Sequence, residues 1–275
     1  MLEYREIRPL GETRNFIDCF WMLECDSSET ASVERVVPDG RAELIVNLAA
    51  PFQSFQDGHW HLQPACFLAG QITGPLLLRP SGPAKIMGVR FLPHGAARVF
   101  GESVDELTGR MTPVADLSRE LARAIESGRE SASFTRIEEA LAKVSRGPDL
   151  MIGEAVRQIV RARGACDVAR LARRLALSTR QLERRFRRGV GMSPKLFCRI
   201  QRFQHVFQVI EGGRPNWVHR AVECGYYDQA HLIRDFRDFA GKTPSVLLGD
   251  SDLARHFVRD PAASDFYKTA ASASG

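Results

Sequence analysis

A chain of 275 residues, 44% hydrophobic and 8% aromatic, is long enough for two domains with ordinary cores. No apolar run approaches the roughly 20 residues of a membrane span, and the charged start MLEYREIRPLGETR lacks the apolar stretch of a signal peptide, so cytoplasm is the expected location. The net charge of +5 is unevenly divided: residues 151–249 hold 19 Lys/Arg against 8 Asp/Glu (+11), and the remainder holds 19 against 25 (−6). A basic segment beside an acidic one suits a polyanion binder joined to a partner that regulates it.

Residues 1 to about 110 read as strands and turns. The run 15–23 (NFIDCFWML) is apolar and aromatic, Val36-Val37-Pro38-Asp39-Gly40 supplies a turn, and 43–49 (ELIVNLA) is a buried-strand candidate. Further strands are expected at 60–68, 76–78 and 85–92, separated by Gly- and Pro-bearing breaks, with a short helix at 94–100. Such spacing predicts a small barrel, cupin-like, or a sandwich. From Pro113 the period turns helical, with stripes Leu117, Leu121, Ile125 and Phe134, Ile137, Leu141, Val144. Ser127-Gly128 is expected to break these into a hairpin, packed on the barrel or on a second copy of the chain. The fold class is therefore α+β: a mostly-β N-terminal barrel with a helical hairpin, then an all-α segment.

Gly147-Pro148 marks a linker, which divides the chain into 1–146, 150–248 and a tail, 249–275, whose ending KTAASASG predicts fraying. The second part opens on a helix with Ile152, Val156, Ile159 and Val160 on one face. It then carries the same signal twice. At an offset of fifty positions Val168 falls on Val218, Leu182 on Leu232, Arg184 on Arg234 and Phe186 on Phe236. Arg187 then meets Arg237, Gly191 meets Gly241, and Ser193-Pro194 meets Thr243-Pro244. Each copy reads as short helix, tight turn and second helix, the layout of a helix-turn-helix unit whose second helix enters the DNA major groove. Between the copies, 194–210 predicts a long helix ended by Gly212-Gly213.

In the first copy Asp167 is placed to cap the support helix, and Ser178 with Gln181 forms a capping box for the second. Phe186 lies roughly 40° from Leu182 on a helical wheel, so this apolar pair docks inward while Arg180, Arg184, Arg187 and Arg188 face out. Arg180, Glu183 and Arg184 occupy the half of the helix that reaches base edges, where Arg pairs bidentately with guanine and Glu accepts from cytosine. Arg187 and Arg188 suit phosphates, which position without specifying. In the second copy Asn216 and Asp228 are the caps, Arg234 and Arg237 repeat Arg184 and Arg187, Gln229 suits adenine and Ile233 a thymine methyl. Ala230 stands where the first copy has Arg180, which predicts poorer direct readout, and Lys242 is a phosphate candidate. His205 and Trp217 read as packing residues.

These segments, ARLARRLALSTRQLERRFRRGVGMSP and AVECGYYDQAHLIRDFRDFAGKTPSVLL, resemble the DNA-binding domain of AraC/XylS-type transcription regulators. The resemblance implies seven helices with recognition helices at 178–188 and 228–239, and base-reading roles for Arg180, Glu183, Arg184, Gln229, Ile233 and Arg234. It also implies an N-terminal part that senses a small molecule or dimerises. VVPDGRAELIVNLA and GVRFLPHGAARVFG resemble a sensor-like domain of some AraC-type proteins, and Trp21, Asn47, Trp60 and Arg90 are its candidate ligand-lining residues. The expected partners are double-stranded promoter DNA and RNA polymerase, with a small-molecule effector and a second copy as candidates. No catalysis and no cofactor are expected.

Two rivals come from other classes. A cupin-type metal enzyme would use His59, His61 and His94, but no Glu follows His61 and Arg98 stands where a further histidine would complete the set. An alkylation-sensing repair regulator would need four clustered cysteines. The six here, at 19, 25, 66, 166, 198 and 224, include no CxxC pair and read as buried, reduced thiols.

Overall fold

Side chains alternate across an extended strand, and that alternation layers the first half of the chain. The computed structural model describes residues 2–25, 33–101, 103–209 and 221–249. Its strands are β1 (Leu2–Ile7), β2 (Ile17–Cys25), β3 (Glu34–Val36), β4 (Glu43–Asn47) and β5 (Phe52–Gln56), then β6 (His59–Leu62), β7 (Cys66–Ala69), β8 (Leu76–Pro80), β9 (Ala84–Phe91) and β10 (Met111–Pro113). They form a six-stranded sheet, order β1-β2-β9-β4-β7-β10, and a four-stranded sheet, order β3-β8-β5-β6. The ladders of both are antiparallel.

Odd and even positions of β2 go to different cores. Cys19, Trp21, Leu23 and Cys25 join Ile45, Phe67, Leu78 and Ile86 between the two sheets. Phe20 and Met22 join Leu44, Val46, Met87 and Val89 on the opposite face, under two helices, α3 (Arg119–Glu130) and α4 (Phe134–Val144). Leu121, Ile125, Ile137 and Leu141 supply the helical side of that core. The hairpin thus packs on the sheet of its own chain, and the six-stranded sheet is the middle layer of three.

Of the two expected arrangements the sandwich forms and the closed barrel does not. Among the described residues β1, β10, β3 and β6 end their sheets as edges. With the hairpin burying its outer face, the larger sheet is satisfied on both sides and stacks as an open layer. Three further expectations are corrected. The run 60–68 divides into β6 and β7, on different sheets, because Pro64 interrupts the ladder. Ser127-Gly128 does not break the hairpin: α3 runs on to Glu130, and a Cβ on Gly128 would fall 2.9 Å from Ile137 Cγ1, so the glycine is where the two helices approach. The turn comes at 131–133, where Ser133 caps α4. Val160 is 43% exposed rather than part of the inward face of its helix.

Two short helices follow β9 and β10, α1 (Ala96–Phe100) and α2 (Val114–Leu117). From residue 150 onward the chain is helical among the described residues: α5 (Leu150–Arg161), α6 (Val168–Arg174), α7 (Thr179–Val190), α8 (Pro194–Val209), α9 (Gln229–Ala240) and α10 (Pro244–Gly249), with a helical stretch at 221–223. One core serves both copies of the repeat. Leu182 and Phe186 of α7 and Leu232 and Phe236 of α9 are fully buried, each worth about 1.5–3 kcal/mol of burial. Between them α8 presents Phe197 to Phe186 (centroids 5.6 Å apart) and Phe203 to Phe236 (4.9 Å). The expected helix end at Gly212-Gly213, the Asn216 cap, Trp217 and the tail lie outside the described residues.

The two halves touch. Val37, expected only as part of a turn, is fully buried in the core of the helical half.

Candidate DNA-binding surface

Helix α7 starts where its sequence says it should. Ser178 Oγ accepts from Gln181 N while the Gln181 side chain accepts from Ser178 N, closing the capping box. Asp167 caps α6 through the N–H groups of Ala169 and Arg170, and these bonds, Arg170's first, hold its carboxyl below the ordinary range. With both ends of the turn fixed and Leu182 and Phe186 buried, the opposite face of α7 has one orientation. Arg180, Glu183, Arg184, Arg187 and Arg188 are all exposed on it. Among the described residues Arg180, Arg184 and Arg187 are in no ion pair.

Arg185 is different. It grips the Asp149 carboxylate with Nε and Nη2 at 2.7–3.1 Å, and Asp149 in turn caps α5. That arginine anchors α7 to the start of α5.

Helix α9 repeats the arrangement with less charge. Asp228 caps it, accepting from His231 N at 2.7 Å. Arg234 and Arg237 are exposed, Gln229, Ile233 and Lys242 are half-buried, and Ala230 is exposed with no polar group to offer. Part of this helix is spent on packing: Asp235 is fully buried and receives Arg199 Nε and Nη2 at 2.9 and 2.7 Å. In the preceding turn Tyr226 is buried, Arg202 stacks on its ring at 5.6 Å, and burial pushes its phenol upward.

Sequence reasoning overlooked two features of this surface. Tyr227, directly before the Asp228 cap, is 90% exposed; its neighbour Tyr226 takes the core position, which is the signal that Tyr227 must face out. Between α5 and α6 a groove of about 800 Å³ is lined by Arg161, Arg170 and Arg174. The groove adds three arginines beside α7, with Glu154 and Asp167 among them, and Tyr227 adds an exposed aromatic ring before α9.

The four N-terminal candidates do not converge on one cavity. Arg90 is buried with Nε on Glu43 at 2.7 Å and Nη1 on Glu6 at 3.4 Å and Cys19 Sγ at 3.2 Å. Burial pushes the Glu43 carboxyl up, opposed by that guanidinium. Trp21 is fully buried beside this cluster in the inter-sheet core. Asn47 donates to Pro64 O at the far end of β4, and Trp60 sits on β6 under Arg79, 4.3 Å from its ring centre. The inter-sheet cavity, of about 60 Å³, is lined instead by Val37, Arg41, Phe67, Ile86 and Met111 among others. It is far smaller than the roughly 300–1,000 Å³ of typical ligand sites.

His59 and His61 are exposed on β6, whereas His94 sits against α5, its Nε2 3.4 Å from where a Gly153 Cβ would lie. Among the described residues no three metal-ligating side chains gather. The cysteines are unbridged, and burial pushes the Cys19, Cys66 and Cys198 thiols up to about 12, so they stay protonated. No helix among the described residues is long and apolar enough to cross a membrane.

Residues 171–249 match a family described as a helix-turn-helix domain, and residues 5–113 match a domain of unknown function (DUF6597). No curated protein matches the chain. Among solved structures, ToxT from Vibrio cholerae aligns over 90% of this chain and 97% of its own at 10% identity, with a TM-score of 0.43. ToxT of strain SCE256 bound to an unsaturated fatty acid aligns over 90% and 94% at 11% identity, TM-score 0.42. The AraC-like transcriptional activator CuxR aligns over 74% and 86% at 13% identity, TM-score 0.26.

Proposed function

We propose that this chain, in which residues 171–249 match a helix-turn-helix domain family and residues 5–113 a domain of unknown function, is an AraC-type regulator of transcription that reads two successive major-groove segments of promoter DNA, one with α7 and one with α9. The observation that carries this reading is the pair of exposed arginine faces, Arg180/Arg184/Arg187 and Arg234/Arg237, each backed by a buried Leu-Phe pair at the same offset. Arg180, Glu183, Arg184, Gln229, Ile233 and Arg234 are assigned to base edges, and Arg187, Arg188, Arg237 and Lys242 to phosphates. RNA polymerase is the protein partner assigned to this role.

The N-terminal region is assigned a modulating role, supported by its direct contact with the helical core through Val37. An effector or a second copy acting there must favour one arrangement of the halves by differential affinity.

Selection of duplexes from a random library by the intact chain tests the reading. It is expected to return one two-part sequence that the Arg180→Ala/Arg184→Ala variant no longer prefers. Enrichment of no sequence, or equal preference by the variant, would overturn it.

A further inference from the structure

The N-terminal half meets the helical half at several places, and two of these are equivalent under the repeat. Gly191 ends α7 in the left-handed conformation (φ 95°), and Thr108 Oγ1 donates to its carbonyl at 2.6 Å. Gly241 ends α9 in the same way (φ 67°), and Arg35 Nη1 donates to the adjacent Ala240 carbonyl at 3.0 Å. Both ends are closely covered: a Cβ on Gly191 would lie 2.9 Å from Thr108 Oγ1, and one on Gly241 3.3 Å from Arg35 Nη1 and 3.4 Å from Pro75 Cγ. A further place is α8, the helix between α7 and α9. Its Gln204 and Gln201 side chains donate to the Pro38 and Asp39 carbonyls at 2.6 and 3.2 Å, and the Gly40 backbone rests on the Phe197 ring.

The chemistry suits the places. The last carbonyls of a helix have no partner within it and carry partial negative charge, so a hydroxyl donor at one reader and a guanidinium at the other both stabilise these ends. Among the described residues these two bonds fall at the C-terminal ends of α7 and α9. Arg180, Arg184 and Arg234, toward the ends that reach bases, remain exposed.

We infer that Arg35 and Thr108, with the 36–40 loop between them on α8, are positioning residues for DNA reading. They hold matching ends of both readers from behind and so set the separation and angle at which the two arginine faces meet the duplex. The N-terminal region is then a frame for the readers, not a cover over them. This inference rests on the two-segment reading proposed above.

The test uses the intact chain and the duplex it selects from a random library, remade with the two segments moved apart or together by one and two base pairs. The variants are Thr108→Val, which keeps shape and removes the donor, and Arg35→Met, which keeps the stem and removes the charge, singly and together. The double variant is expected to bind the native spacing about tenfold more weakly, on the scale of a lost charge-assisted bond. Its affinity should also vary less with spacing than that of the wild type. Arg35→Lys, which retains a cationic donor, should restore much of the spacing preference. Circular dichroism monitors folding, and should the double variant be unfolded, Thr108→Val and Gln204→Leu alone decide, each expected to flatten the spacing profile. Variants that bind as the wild type does at every spacing overturn the positioning role and leave the DNA-reading assignment intact. A wild type that selects no duplex overturns both.

Discussion

The two readers share a skeleton and differ in what they spend their surfaces on. In α7 the face opposite Leu182 and Phe186 is given to arginine, and the helix is anchored from its flank by Arg185 on Asp149. In α9 the anchor lies within the helix, where buried Asp235 and exposed Asp238 hold Arg199 of α8, and Ala230 replaces the first reading arginine. Identical burial thus supports unequal reading. The first unit should supply most of the specificity, and the second should act as a stiffly held follower.

The comparison breaks first if the skeletons are not equivalent. Phe186→Ala and Phe236→Ala, both at fully buried rings, are expected to cost similar amounts, about 3–5 kcal/mol each in urea denaturation. A small cost at Phe236 alone would mean the second unit is loosely built.

The anchors come next. Arg199→Ala leaves the Asp235 carboxylate buried without its partner and should cost about 2–3 kcal/mol, below the full penalty for a buried pair because Arg199 is partly exposed. Arg185→Ala, at a half-exposed pair, should cost at most about 1 kcal/mol. Thermal unfolding of the two variants separates these outcomes, and equal costs would remove the distinction between the anchors.

For DNA binding the order reverses. Arg184→Ala is expected to weaken binding to the selected duplex by about 1–3 kcal/mol and to relax preference at one base pair. Arg234→Ala should do the same at the second segment by less than about 1 kcal/mol, because its neighbour Ala230 contributes no second contact. Titration against duplexes mutated in either segment checks both.

The smallest effect concerns pH. His94, near Arg157, Arg98 and Asp149, and His205, near Arg163 and Glu223, are held below the ordinary imidazole value, first by burial and then by the guanidiniums facing them. The folded state therefore resists protons that the unfolded chain accepts. Their contribution is whole above about pH 6.5, the unfolded value, and is lost progressively as pH falls below it. The melting temperature should drop on acidification through that window, and His94→Gln should make the drop shallower.

Much of the second half was legible because its signals are local. Caps, the glycine after each reader, and Leu-Phe pairs four residues apart all act within a helical turn, so the repeat at fifty positions could be read directly. The first half was legible where a strand is mostly apolar, as in β2, β4 and β9, and where the period turns helical, as in α3 and α4. The polar edge strand β1 (LEYREI) and β5 (FQSFQ) left no comparable trace. Gly128 looked like a breaker because the helix it accommodates is distant in sequence. Val37 looked like turn furniture for the same reason, and Arg35 gave no signal at all: their partners lie more than 100 residues away, and no local period records them.

Hydroxyl-radical footprinting of the intact chain on its selected duplex addresses the central claim most directly. Two protected patches on one face of the DNA, about one helical turn or 10 base pairs apart, are expected, with the patch under α7 lost in Arg180→Ala/Arg184→Ala and the other retained. A single patch, or two that disappear together whichever reader is altered, would contradict the assignment of one reader to each segment.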